Sequence, residues 1–332
     1  MTDLALIWIL IIGFGIFMYV LLDGFTLGTG MLMAFMNDYE RNLAMSMILP
    51  NWDGNQTWLV LGAATLYGAF PQAFSTLLPL LYLPLFAMIL ALLFRGVAFE
   101  FRLKADQGRK NWDRCFIGGS LVATLIQGML LGAFIQGFHL SDNPAVPLDT
   151  YEWISPFSLF TGIGLVFGYC LLGAGRLILK TEHSVQNKMY RFARISAALV
   201  ALFAVLTTLW TPFVHPLVQQ RWFDSPYLCY IAIFPIVGAA AMLGIFIGIH
   251  RRYEALPYWL TILVFLCSYG GFVISVWPYI IPYSLTIWQA ASPPGSLAFM
   301  LVGAVIMLPV LLFYTWYSYR IFRGKVKDVI SY

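Results

Sequence analysis

The 332-residue sequence is 61% hydrophobic and 10% charged, with a formal net charge of +4 and a mean hydropathy of +0.81. A soluble protein of this length carries roughly 25% charged residues, so the composition excludes a water-soluble globular enzyme and offers nothing that points to nucleic acid. It predicts an all-α, polytopic membrane protein, in which 28 glycines and 17 prolines are tolerated because neighbouring helices re-satisfy backbone groups that a kink sets free.

The first apolar run, 4–36, opens as MTDLALIWIL, with Asp3 in place of a basic leader. It is too long for a cleavable signal peptide and reads as a retained first span. The second, 43–70, is interrupted by LPNWDGNQTW, which sets Asn51, Asp53, Asn55 and Gln56 between Trp52 and Trp58. The third, 73–101, carries Arg95 and Glu100 in LLFRGVAFEFR. Runs at 114–138, 155–180, 191–214, 227–249, 256–281 and 296–322 bring the expected crossings to nine. About 20 residues cross the hydrocarbon, so the first and third runs must tilt or protrude.

The loop charges alternate by side. One set of loops and span ends holds Arg41, Arg102 to Arg114, Arg176 to Arg194, Arg251, Arg252 and the cations from Arg320 to Lys327, which is 17 of the 19 basic residues. The other set has Arg221 against Asp3, Asp142, Asp149, Glu152 and Asp224. The positive-inside rule then puts the N-terminus outside and the C-terminus inside, as an odd number of spans requires.

An offset of 150 residues lays FMYVLLDG (17–24) on FGYCLLGA (167–174) and the first four spans on the next four. The expected organisation is one membrane domain over 1–332: a four-helix unit at 1–140, a second at 151–285, and a peripheral ninth helix at 295–323. Gly24/Gly28, Gly128/Gly132, Gly164/Gly168 and Gly244/Gly248 have the spacing of close helix contacts, and ordinary packing explains them. Cys115, Cys170, Cys229 and Cys267 are scattered, without CxxC pairing, and read as free buried thiols.

Three ionisable residues fall well inside the spans: Asp23, Asp53 and Arg95, with Glu100 near an inner end. At 1.5 Å per residue they lie roughly 20, 15 and 10 Å from the inner face. A charge at such depth costs at least about 2.5–3.5 kcal/mol on insertion scales, so Arg95 should pair with one of the aspartates. On a helix Asp53 shares a face with Gln56 and Thr57, and Pro50 withdraws the amide that would reach the Ser46 carbonyl. Such a group serves either as an ion pair that fixes helix register or as a proton path, in which desolvation raises a carboxylate pKa and an adjacent arginine opposes the rise. His139, His183, His215 and His250 all fall in loops or at membrane edges, so no haem ligation inside this chain is expected. No Walker A, GxGxxG or HExxH motif occurs, and neither a catalytic nor a metal site is assigned.

LLDGFTLGTGML (21–32), PNWDGNQTWL (50–59), LFRGVAFEFR (93–102) and YSLTIWQAAS (283–292) resemble, in order, the signatures of subunit II of cytochrome bd-type quinol oxidases. The resemblance runs over essentially the whole chain and implies two four-helix bundles plus one helix. It implies a bacterial inner-membrane subunit of an enzyme that oxidises quinol and reduces dioxygen to water. The b and d haems of that enzyme are ligated by subunit I. It also implies that this chain stabilises subunit I and supplies a cytoplasmic proton pathway. Asp53 matches the pathway's carboxylate, Asp23, Arg95 and Glu100 match the other polar membrane positions, and Trp52 matches a tryptophan beside a bound quinone. The implied partners are subunit I, a small single-helix subunit in some complexes, lipid and quinone. Two positions depart from the pattern, Thr26 and Gln289, where the family often carries an acid. The short chain resembles the cyanide-insensitive branch. The competing expectation from the residues alone is a stand-alone proton-coupled transporter using Asp23, Asp53 and Arg95.

Overall fold

A computed structural model describes residues 2–105, 107–140, 149–223 and 227–326, the side chains of 2 and 227–230 excepted. Asp142, Asp224, Lys327 and the Cys229 side chain lie outside the described residues. The first run forms α1 (Thr2–Leu32) and a short 3-10 turn, Met33–Phe35. The remaining long helices are α5 (Tyr82–Lys104), α6 (Arg109–Gln136), α7 (Pro156–Lys180), α8 (His183–Trp210), α10 (Tyr227–His250), α11 (Leu256–Val276) and α13 (Pro294–Ile321). Together with α1, these are the eight described helices long and apolar enough to cross a membrane, so the chain is a multi-pass membrane protein.

The second expected run is not one helix. It divides into α2 (Asp38–Ile48) and α3 (Trp52–Ala69), and α3 is not among the eight. Pro50 brings no amide to the helical ladder. The Leu49 amide reaches the Met45 carbonyl, Asn51 turns back to Ile48 at 3.1 Å, and the ladder restarts as Asn55 bonds Asn51 at 3.1 Å. Pro50 is therefore part of a break between two helices, where one continuous run was expected. The third run also divides, into α4 (Pro71–Leu80) and α5, on either side of Leu81. A short α9 (Pro216–Phe223) follows α8. The eighth run ends as a small antiparallel hairpin, β1 (Tyr279–Ile281) and β2 (Leu285–Thr286), before the one-turn α12 (Ile287–Ala290), a local exception to the all-α expectation.

Helix α1 packs against α3, α6 and α7; α5 packs on α6, α6 on α7 and α7 on α8; α10 and α11 pair and lean on α8 and α7; α13 lies against α3 and α1. The α1–α7 contact is backbone-close. A Cβ at Gly28 would stand 1.7 Å from the Tyr169 carbonyl oxygen, and one at Gly173 would stand 2.5 Å from the Thr29 amide nitrogen. Without a hydrophobic drive between helices in lipid, such seams associate through van der Waals contact.

Both ends of the helices are tied by polar side chains. At the basic end Asn37 and Glu40 form a capping box on α2, Lys188 Nζ lies 2.7 Å from Glu40, and buried Asp113 takes Arg102 Nε and Arg41 Nη1. Lys180 Nζ donates to the carbonyls of Phe322 and Gly324, while Lys325 Nζ reaches Glu254 at 2.9 Å. The donors Lys325 and Gln186 hold the Glu254 carboxyl below its usual range. At the opposite end Trp8 Nε1 donates to the Leu297 carbonyl at 3.1 Å, and Arg221 Nη1 donates to the carbonyls of Ile274 and Ser275 at the end of α11. Gln289, one of the departures from the family pattern, completes a capping box with Thr286 on α12.

Candidate functional site: a buried polar seam around α1

Asp23 and Arg95 meet in the core. Arg95 Nη1 donates to Asp23 Oδ2 at 2.9 Å and Nη2 to Oδ1 at 2.8 Å, with the arginine 1% and the aspartate 0% exposed. The fork geometry of a guanidinium matches a carboxylate in this two-bond arrangement. Thr26 closes the group, accepting from Arg95 Nη2 and donating to Asp23 Oδ1, both at 2.5 Å. An acid at position 26 would set two carboxylates against one guanidinium, whereas threonine leaves the pair neutral. Arg95 also lies over the Phe116 ring at 5.6 Å, and its Nε is buried without a partner among the described residues.

Polar contacts extend from this pair in two directions. Toward α6 and α7, Gln127 Nε2 donates to Tyr19 Oη at 2.8 Å, and Tyr169 Oη donates to Gln127 Oε1 at 2.9 Å. Toward α3 and α13, Asn55 Nδ2 donates to the Leu22 carbonyl at 2.7 Å while its Oδ1 accepts from Tyr319 Oη at 3.0 Å. Ser318 Oγ donates to Asn51 Oδ1 at 2.5 Å, and a void of about 10 Å³ opens between these groups, at the lower limit of what one water needs. Beyond Tyr319 lies Arg176, 8% exposed, its guanidinium 5.2, 5.2 and 5.3 Å from the rings of Phe25, Tyr258 and Tyr319. No carboxylate pairs with it among the described residues, and its Nε has no partner there. The aromatic faces supply the cation's counter-charge.

The other expected site residues stand elsewhere. Asp53 and Thr57 are exposed on α3, and Gln56 is half-buried with its Nε2 unpartnered among the described residues. The Asp53 carboxylate faces out of this chain and makes no hydrogen bond or ion pair with another described residue. Its place in the first turn of α3 sets it at the positive end of the helix dipole. Glu100 is also exposed, on α5. Trp52 is half-buried, its ring 4.9 Å from Phe99, which lies 5.9 Å from Phe116, so a file of rings joins Trp52 to the Arg95 group. Of the four histidines, His139, His183 and His250 are exposed, and half-buried His215 stacks on Tyr283.

Sequence reasoning missed Thr26, Gln127, Tyr19, Tyr169 and Arg176 as parts of the seam. Only the tyrosines left a signal, since the 150-residue offset lays one on the other. Arg176 had been grouped with the loop cations.

A family profile for cytochrome bd terminal oxidase subunit II matches residues 4–322. The chain belongs to that family. It is therefore an oxidase subunit, and the stand-alone transporter is set aside. Among its bd oxidase relatives is the cytochrome bd ubiquinol oxidase subunit 2 of Bacillus subtilis, 26% identical over 344 residues and aligned along 100% of both chains. The cytochrome bd-I ubiquinol oxidase subunit 2 of Escherichia coli K12 is 26% identical over 366 residues, covering 99% of this chain and 97% of its own. A chain in the structure of the bd oxidase from Geobacillus thermodenitrificans has the same fold, with a TM-score of 0.80, 18% identity, and coverage of 97% of this chain and 99% of that one.

Proposed function

We propose that this bd oxidase subunit ligates no haem itself, stabilises a haem-bearing subunit I, and passes protons from the cytoplasm by way of Asp53 during quinol oxidation and dioxygen reduction. One observation carries the proposal: Asp53 is exposed on a surface that is largely apolar. Val60 and Tyr67 continue that surface on α3, and Phe94, Val97, Phe101 and Glu100 line the exposed side of α5. Facing lipid, the carboxylate would cost at least about 2.5–3.5 kcal/mol, so a protein surface should cover it. A carboxylate enclosed between two subunits can trade protons with either.

In this reading the α2–α3 pair makes the second of nine crossings. The helices form two four-helix units, 1–140 and 151–285, with α13 outside them. The N-terminus faces outward and the C-terminus inward, in a bacterial cytoplasmic membrane. The b and d haems belong to subunit I, and the positions of the four histidines support that division. Trp52 is the contact for a bound quinone, at the outer end of the ring file. Asp23, Arg95, Gln56, Thr57 and Glu100 serve the same proton route. A small single-helix subunit and lipid complete the partners, and the chain falls in the cyanide-insensitive branch.

Asp53→Asn in the assembled complex tests the core of this reading. Quinol-dependent oxygen uptake should fall while the haem spectrum is kept, and Asp53→Glu should recover part of it. Unchanged turnover at equal haem content would remove Asp53 from the mechanism. Parallel loss of haem and turnover would reduce its role to assembly.

A further inference from the structure

A cleft of about 360 Å³ opens at the basic end of the helices, between the start of α2 and the start of α6. Asp38 and Arg41 line one side, and Lys110, Asp113 and Arg114 the other. The carboxylates do not neutralise it. Both oxygens of Asp113 are engaged, one by Arg41 and one by Arg102, which reaches in from α5. The Asp38 side chain is 78% exposed and, among the described residues, pairs with Arg41 at 3.6 Å. Lys110 and Arg114 have no carboxylate partner among the described residues, and the nearest bond of Arg114 is to Asn111 Oδ1 at 3.4 Å. Among the described residues four cations therefore face two carboxylates, and Lys110 and Arg114 are exposed.

The order of residues along α6 gives the cleft a direction. Lys110 and Arg114 share one face at i and i+4, in the first turns, where the helix dipole also favours an anion. Ile117 continues that face as the apolar wall of the cleft, and exposed Leu121 follows one turn farther into the apolar helix. A charged head and an apolar tail are matched in sequence by two cations and then two aliphatic side chains. Basic pockets at the membrane edge between helices take anionic headgroups.

We propose that this cleft binds a phosphate group at the membrane edge, that of an anionic phospholipid whose acyl chain runs along Ile117 and Leu121. Free phosphate shares the headgroup's chemistry but makes no use of the aliphatic pair.

The test uses the complex purified mildly from its native membrane, exchanged against phosphatidylglycerol or phosphatidylcholine, with retained lipid read by native mass spectrometry. The wild-type complex should retain phosphatidylglycerol in preference to phosphatidylcholine. The double variant Lys110→Gln/Arg114→Gln should retain less, about fivefold for each cation and on the order of 25-fold for both. Among the described residues these side chains make no contact beyond the Arg114–Asn111 bond within α6, so the haem spectrum should be unchanged, and that spectrum reports separately on the oxidase reading. Inorganic phosphate that displaces the lipid would uphold the phosphate site with the free anion as occupant; failure to displace it assigns the site to lipid. No retention by wild type, equal retention by the variant, or equal retention of phosphatidylcholine would overturn the proposal.

Discussion

Tyr19 and Tyr169, 150 residues apart in the chain, hold the two ends of one side-chain amide, that of Gln127. Three helices, α1, α6 and α7, are thereby fixed at a common level. Both tyrosines are buried, at 3% and 0% exposure, so neither hydroxyl has water as a substitute partner. Gln127→Leu should leave both phenols unpaired at about 1–3 kcal/mol each and lower the thermal midpoint of the complex. Adding Tyr19→Phe and Tyr169→Phe should recover part of the loss. An unchanged midpoint in the single variant would show that the amide bridge carries no stability.

The Asp23–Arg95 pair makes a different prediction, because removing one partner strands the other in the core. Asp23→Asn or Arg95→Gln alone should cost about 3–5 kcal/mol and reduce the folded yield. The double variant should be more stable than either single one. Measured unfolding midpoints of the three proteins decide it, and additive losses would mean that the two residues act independently.

Glycine substitutions separate close packing from helix propensity. Gly28→Ala should prevent assembly of the α1–α7 seam, since its Cβ would fall inside the Tyr169 carbonyl. Gly118→Ala, on α6, has nothing within 4 Å of the added methyl and should stabilise by roughly 0.5–1 kcal/mol. Retained yield and midpoint in Gly28→Ala would contradict the packing described.

These contrasts mark how far the sequence could be read. That Arg95 needs an acid followed from the cost of a lone charge in lipid. Which aspartate it takes did not, because that depends on how α5 lies against α1. Asp53 illustrates the same gap. Helix α3 spreads its polar and apolar residues round its axis, so no stripe of side chains tells which face turns inward. Arg176 was hidden by its position: four residues from Lys180 at a span end, it resembled a loop cation, yet three rings from α1, α11 and α13 enclose it. At Pro50 the signal was present, and the structure used it as a stop.

Acid should loosen the β1–β2 turn. The His215 ring lies flat on Tyr283, 3.8 Å between centroids, with Arg221, His139 and Glu152 belonging to the same end of the molecule. Burial, and then the neighbouring His139, hold the His215 pKa below its ordinary value of 6.5. The folded protein therefore takes up this proton less readily than the unfolded chain. The resulting stability is complete above the ordinary value and shrinks as the pH falls through the lowered one. Hydrogen exchange of the hairpin amides, corrected for intrinsic rates, should accelerate between about pH 7 and about pH 5. His215→Phe, which keeps the stack without the charge, should abolish that change.

The break at Leu49–Asn51 has a consequence for how the chain enters a bilayer. Trp52–Ala69 is too polar to count among the described helices that could cross unaided, and its first turn carries a carboxylate. When it leaves the ribosome, α1 is already made, and the Leu22 carbonyl of α1 receives the Asn55 amide. This segment should therefore be inserted as a passenger of α1. A chain deprived of α1 should lose α3 from the membrane as well, and fail in its topology before any question of catalysis arises.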